Sequence, residues 1–477
     1  MQDSHRQLSK YWSIIVILTL TPVLLWATIP ILPTFDDWTS LTSPSFEPLF
    51  TKKNFLFYGY HWRPFDAIIG YVLGLNPQLF FPTLNHCLVV VGHVACSCLL
   101  YHLLTIVGCK NGSKNIATLI FFFTPATMAT VLAVDSMNQI YALLWGMVAF
   151  LVYIRKAHWK YPVWIVLIFI ATLCKENGLM WALICPILAY GFDFIKQQTM
   201  RRDLLLGIGV MVAYALAIVL LPKDIEIHPE YIPDEMKIVK SIAKFLLSSF
   251  FTVDYIWLLH QPQRHLFLAA VTLLLSLPFC YCIFMQYCRQ FKSRKMVCIF
   301  ISLCIAVAPH LLTTFSMMHT YAGLVMIVLV IAISLDAYDG KLRTLATSCL
   351  LLLISFAVID THLWYESLKS SLVGKQMAIE AIQKTGQPVK RVYLINIDED
   401  YSKLSSFCVL PYEAFGWGLA TRHETGYQWP ENIKDTLIAR SATAKETALQ
   451  LGLEMIKNKE YDCVWITDHQ HIDVIKK

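Results

Sequence analysis

Charged side chains are scarce in this sequence. Asp, Glu, Lys and Arg make up 15% of the 477 residues, against 56% hydrophobic ones. A soluble domain carries about 25% charged residues, so this scarcity excludes an ordinary water-soluble fold, as does the mean hydropathy of +0.54. The residue-by-residue alternation of a membrane β-barrel is also missing, which leaves helices as the way to satisfy backbone groups in lipid. Zinc-type cysteine spacing is lacking. Most of the 14 cysteines, among them Cys96, Cys98, Cys280, Cys282 and Cys304, sit in apolar runs and act as small hydrophobes. Cys408 and Cys463 lie in a polar tail, and nothing in the sequence shows a pairing. The tail has no Gly-rich phosphate loop, and the chain has no internal repeat on the scale of about 20–50 residues.

What is present is a series of apolar runs, many long enough for a helix of about 20 residues to cross a bilayer core. About eleven spans are expected, near Ile14–Leu32, Leu79–Leu104, Ile116–Leu132, Gln139–Ile154, Val163–Cys174, Leu179–Ile195, Leu204–Leu221, Leu266–Tyr287, Val297–Leu312, Tyr321–Leu335 and Leu345–Ile359. The first is longer than the apolar core of a signal peptide and reads as a retained anchor. One set of loops collects Lys and Arg: Arg6/Lys10, Lys110/Lys114, Arg155/Lys156/Lys160, Lys196/Arg201/Arg202, Arg289 to Lys295 and Lys341/Arg343. The short alternate loops Ala133–Asn138 and Thr313–Met318 have none. The positive-inside rule therefore puts the N-terminus in the cytoplasm and the tail outside. The fold class expected is an α-helical polytopic membrane protein with a small C-terminal α/β extracytoplasmic domain. Residues 1–359 would form the membrane domain, with outer loops at 33–76 and 222–265, and residues 360–477 the soluble one.

Within the second outer loop, Glu235–Phe251 carries Lys237, Lys240, Lys244 and Ser248 at helical spacing opposite Ile238, Val239, Ile242 and Leu246. This describes an amphipathic helix in the membrane interface, with lysines that either face water or hold a lipid phosphate. In the tail, His362–Gly386 and Ser441–Lys457 read as helices, and Arg391–Ile397 and Asp462–Thr467 as strands.

Ionisable groups beside lipid are costly and mark function. The expected topology gathers Asp36/Asp37, Arg63, Asp135, Lys175/Glu176 and His319 on the outer face. Each has a plain structural reading as well. The Asp pair suits a solvated turn, Asp135 an N-cap, and Lys175 with Glu176 a self-neutralising pair at a turn where Gly178 supplies the tight backbone. His86 and His93 lie on one helix face and read as buried, hydrogen-bonded residues. Tyr321 or His319 would face the site from the last outer turn.

The order of these features resembles the GT-C class of glycosyltransferases. The likeness is greatest to the branch of protein O-mannosyltransferases and transmembrane, TPR-containing O-mannosyltransferases. It rests on Phe35-Asp36-Asp37, Tyr60-His61-Trp62-Arg63-Pro64, Cys174-Lys175-Glu176-Asn177-Gly178 and, more weakly, Phe81…Asn85 and Pro125…Asp135. The resemblance covers roughly the first 180 residues; the tail is too short and strand-like for TPR repeats. Where many relatives carry Arg before a Tyr, this chain has His319-Thr320-Tyr321.

The resemblance implies a polyprenyl-phosphate-linked sugar donor and a lipid, glycan or protein acceptor. Asp36 would be the general base, and Asp37 would orient the acceptor or help bind a divalent cation. Arg63, Lys175 and His319 would neutralise the donor phosphate, with Glu176, Asp135 and Tyr321 in support. A base and a phosphate clamp at the membrane face suit that chemistry. No nucleic-acid partner is expected. A bacterial inner membrane is the expected location, since no C-terminal Lys-Asp-Glu-Leu is present. The alternatives are a transporter or flippase of lipid-linked saccharide, which would place polar groups at mid-bilayer, and an O-antigen-type polymerase or ligase.

Overall fold

Helices form wherever the sequence stays apolar for a dozen residues or more. The computed structural model describes residues 10–28, 52–54, 60–61, 63–65, 68, 71, 83–124, 127, 130–131, 136–221, 223–224, 235–250, 262–290, 293–311, 317–337, 340–397, 432–438, 441–468 and 471–476. The first helices are α1 (Trp12–Thr28), α2 (Thr83–Ile106), α3 (Asn111–Phe123), α4 (Met137–Tyr153), α5 (Lys160–Cys174) and α6 (Trp181–Gly191). After them come α7 (Gln197–Leu220), α8 (Glu235–Phe250), α9 (Pro262–Gln290), α10 (Arg294–Leu311), α11 (Tyr321–Ala337) and α12 (Lys341–Thr385). Each expected apolar segment overlaps one of these helices over its described residues, though Ile116–Leu132 outlasts α3, which ends at Phe123. Among the described residues four stretches, His86–Ile106, Gln197–Leu220, Arg294–Leu311 and Met318–Ala337, are long and apolar enough to cross a membrane.

Burial separates the centre of the bundle from its rim. In α11 nearly every side chain from Tyr321 to Leu335 is buried, so this helix is surrounded by protein on all sides. By contrast, α7 exposes Leu205, Leu216 and Leu220, and α9 exposes Phe267, Leu274 and Phe284, as expected of a lipid-facing rim. Glycine brings α4 and α6 together: a Cβ at Gly146 would sit 2.2 Å from the Trp181 indole nitrogen.

Several polar groups inside the bundle are paired. His93 Nε2 lies 3.1 Å from the Phe122 carbonyl, which can only accept, so Nδ1 accepts from the Tyr321 hydroxyl at 3.0 Å. That agrees with reading His93 as a buried, hydrogen-bonded residue. Asp203 in α7 is fully buried and accepts from Tyr153 (2.5 Å), Tyr161 (3.1 Å) and Arg202 Nε (2.9 Å), which offsets its desolvation. Lys114 was expected in a basic loop. It is buried at the start of α3, donating to Thr105 (3.1 Å) and lying over the Tyr101 ring (4.7 Å).

Two features outside the bundle bear on the site. Strands β1 (Lys52–Asn54), β2 (Tyr60–His61) and β3 (Lys223–Asp224) form one small sheet in the order β2-β1-β3, with β1 parallel to β3. It ties the segment between α1 and α2 to the one between α7 and α8. These strands of two and three residues were not foreseen, being too short for any alternating pattern to register. The other feature is α12, whose 45 residues span about 67 Å at ~1.5 Å per residue, more than twice the bilayer core of about 30 Å. The expected domain boundary at 359/360 thus lies within one continuous helix.

In the tail, β4 (Arg391–Ile397), β5 (Asn432–Ile438), α13 (Ala444–Lys457), β6 (Cys463–Thr467) and β7 (Ile472–Lys476) give a sheet of order β5-β4-β6-β7. The first three strands in that order run parallel, and β7 is antiparallel to β6. Cys463 is buried within β6, while Cys408 lies outside the described residues. Arg391 clamps the start of β6: its backbone N–H donates to Asp462 at 3.0 Å and its guanidinium at 3.2 Å.

Partial burial would raise the Asp462 pKa, but the hydrogen bonds from Arg391 outweigh it and hold the carboxyl below its ordinary range. A carboxylate depressed on folding contributes stability above its unfolded pKa of about 3.9 and loses it as pH falls through the folded value. Wild type should therefore have a higher apparent Tm for the tail than Asp462→Asn at pH 7. That difference should shrink to nothing as the pH falls below the carboxylate range. A constant difference across that interval would contradict the assignment.

Candidate functional site

Helix α5 ends at Cys174, its ladder closed by the Lys175 N–H donating to the Ala171 carbonyl at 3.1 Å. Lys175 then turns extended (φ −155°) and a 3₁₀ turn, Glu176–Met180, leads into α6. Gly178 permits this turn through close approach: a Cβ there would lie 2.3 Å from the Ala171 carbonyl carbon and 2.4 Å from its oxygen. Backbone cannot yield as a side chain can. Gly178→Ala is expected to cost at least about 1–3 kcal/mol by overpacking and to displace Glu176, lowering the apparent Tm. An unchanged Tm would show that the turn is looser than this.

The Glu176 carboxylate meets Arg63, which lies two residues beyond β2. Arg63 Nε donates to Oε2 and Nη2 to Oε1, each at 2.7 Å. This bidentate fork joins residues 113 positions apart and is half-buried, with side chains 18% and 21% exposed. Paired, charge-assisted bonds of this kind fix orientation as well as adding energy. Lys175 is buried beside it.

From the other side of the bundle come two histidines. His310, buried one residue after Pro309 in the last turn of α10, stacks on His319 with ring centroids 4.6 Å apart and planes 14° off parallel. His319 is in a 3₁₀ turn, Met317–Thr320, that opens α11. The Asn177 amide nitrogen lies 3.2 Å from His310 Nε2; since the amide can only donate, Nδ1 carries the imidazole proton. Lys175, Glu176 and Arg63 are within electrostatic reach of both rings. Ser136 donates to Met318 Sδ at 3.4 Å, which brings the start of α4 to the same turn.

The structure thus gathers Arg63, Lys175, Glu176 and His319 at one end of the bundle and adds Asn177 and His310. Tyr321, although adjacent in sequence, points inward and is engaged with His93. Asp36, Asp37 and Asp135 lie outside the described residues. Among the described residues no group of three or more His, Cys, Asp or Glu side chains is placed to hold a metal ion. Chemically, the assembled groups can neutralise and orient an anion. In the sequence His310 and His319 flank the same expected outer turn, but His310 was not assigned to the site, because its ring contact with His319 is long-range and has no local signal.

No family model and no curated protein matches the chain. Among solved structures it is similar to the archaeal oligosaccharyltransferase AglB from Archaeoglobus fulgidus, determined in complex with an inhibitory peptide and a dolichol-phosphate. The two share 14% sequence identity at a TM-score of 0.44, over 96% of this chain and 70% of that one. That neighbour is an oligosaccharyltransferase, whereas the motifs resemble the O-mannosyltransferase branch.

Proposed function

We propose that the protein is an integral-membrane glycosyltransferase of the GT-C kind. It transfers a sugar from a polyprenyl-phosphate-linked donor to a hydroxyl of a lipid, glycan or protein acceptor on the extracytoplasmic face. The observation that carries the reading is the convergence of the Arg63–Glu176 fork, buried Lys175 and the His310–His319 stack at one end of a bundle of apolar helices. A phosphate whose hydrocarbon tail lies in the bilayer needs cations at that level.

In the proposed reaction Asp36 removes the acceptor hydroxyl proton. The acceptor oxygen bonds to the anomeric carbon as the bond from that carbon to the phosphate oxygen breaks, and the electron pair leaves with the polyprenyl phosphate. Lys175 and Arg63 neutralise the charge that develops there. Glu176 aims the guanidinium, Asn177 fixes the tautomer of His310, and His310 supports His319 against the phosphate. Asp37 orients the acceptor, Asp135 supports the same face, and Tyr321 braces α11. A single displacement inverts the anomeric centre.

The test is mass spectrometry of glycans and glycolipids from a strain lacking the protein. One species should lose one sugar, with recovery on return of the wild-type chain but not of Asp36→Asn. Recovery by the variant would overturn the assignment of the base.

A further inference from the structure

Helix α8 presents three distinct faces. Toward the bundle it buries Ser241, Phe245 and Ser248. The Ser248 hydroxyl lies 2.9 Å from that of Thr320, and the Phe245 ring reaches the α10–α11 contact at Gly323. Ser248 was expected on the lysine side of the helix; its partner shows that it faces inward. A second face exposes Met236 (62%), Val239 (61%), Ile242 (41%) and Leu246 (45%) in one stripe. The third carries Lys237, Lys240 and Lys244. At about 3.6 residues per turn the lysine and apolar faces lie roughly 140° apart, and the bundle side lies about 70° beyond the lysines, nearly opposite the apolar stripe.

Such an apolar stripe in water would be a liability. Its height in the molecule says what covers it. Ser248 pins α8 at the junction of the 317–320 turn with α11, level with the end of a stretch long and apolar enough to cross a membrane. The stripe therefore lies where hydrocarbon begins, and the lysines on the opposite side lie where lipid phosphates begin. Burial and the like charge of Lys240 both pull the Lys244 ammonium below the ordinary lysine range. An anion beside the pair would relieve that repulsion.

We infer that α8 docks on an anionic bilayer surface, with Met236, Val239, Ile242 and Leu246 among acyl chains and the lysine face against phospholipid phosphates. Its inner face meanwhile anchors the turn that carries His319. Each lysine near an anionic leaflet adds to such attachment, within about a Debye length of the surface. A lipid-seated α8 is compatible with any reaction at the neighbouring site.

The test uses the full chain in vesicles, with a genetically encoded nitroxide side chain at 240, 242 or 246 and collision with oxygen or a water-soluble nickel chelate read by electron paramagnetic resonance. Positions 242 and 246 should favour oxygen and be shielded from nickel, and position 240 the reverse. Replacing phosphatidylglycerol by phosphatidylcholine, or introducing Lys240→Glu, should raise nickel access at 246. If 242 and 246 are as open to nickel as 240, the docking is overturned. If vesicle composition and the charge reversal both leave 246 unchanged, the phosphate contact is overturned.

Discussion

Asp36→Asn should lower sugar transfer by about 10²–10⁴-fold, the usual contribution of a positioned general base, while leaving the apparent Tm and membrane insertion of the protein unchanged. Asparagine keeps the shape and one acceptor oxygen but cannot take the acceptor's proton. The loss should lie in kcat, because proton removal belongs to the transition state and not to donor binding. Asp37→Asn should act more on KM for the acceptor. If the two substitutions have reversed effects, the base is Asp37. If neither lowers transfer, the pair is a solvated turn and the proton acceptor lies elsewhere.

The second large effect is expected at Arg63. Loss of one donor that neutralises a developing anion typically costs about 10²–10³ in kcat, and Arg63→Ala should fall in that range. The same change strands Glu176 in a half-buried place. Breaking a fully buried pair costs about 3–5 kcal/mol, and partial exposure should bring this below that range. The two effects are separable. Glu176→Gln keeps the guanidinium, so it should cost stability and only part of the activity. Arg63→Ala with Glu176→Gln should regain stability relative to Arg63→Ala alone, yet remain inactive. A double-mutant coupling no larger than that of an exposed pair, about 0–1 kcal/mol, would mean that the 2.7 Å fork is not maintained in the membrane. Recovery of activity in the double variant would remove Arg63 from the phosphate site.

Which parts of the molecule were legible in the sequence follows from how each is stabilised. The helices were, because lipid demands continuous apolar runs and each run is local in the chain. Strands β4 and β6 were as well: they lie inside the tail sheet, and their residues, Val392 to Ile397 and Cys463 to Thr467, are almost entirely buried. Their neighbours β5 and β7 lie at the edges, where Lys434, Asp435 and Asp473 interrupt the apolar pattern as edge strands commonly allow. Of the candidate site, Arg63, Lys175, Glu176 and His319 were legible as residue types on one face, while Asp36, Asp37 and Asp135 lie outside the described residues. The geometry of the site was not legible, because the Arg63–Glu176 fork, the His310–His319 stack and the sheet joining β1 to β3 are contacts between distant segments with no local signal. Ser248 illustrates the same limit. Helical spacing placed it on a face, but only Thr320 decides which way that face turns.

Purified protein in vesicles, supplied in turn with polyprenyl-phosphate mannose, glucose and N-acetylglucosamine and with membrane extract from the deletion strain as acceptor, tests the central claim most directly. With one of these donors, free polyprenyl phosphate should appear in step with an acceptor species heavier by one sugar. Both signals should vanish in Asp36→Asn and Arg63→Ala. Movement of the intact lipid-linked sugar across the bilayer, with no polyprenyl phosphate released, would contradict group transfer and make the protein a carrier of its substrate.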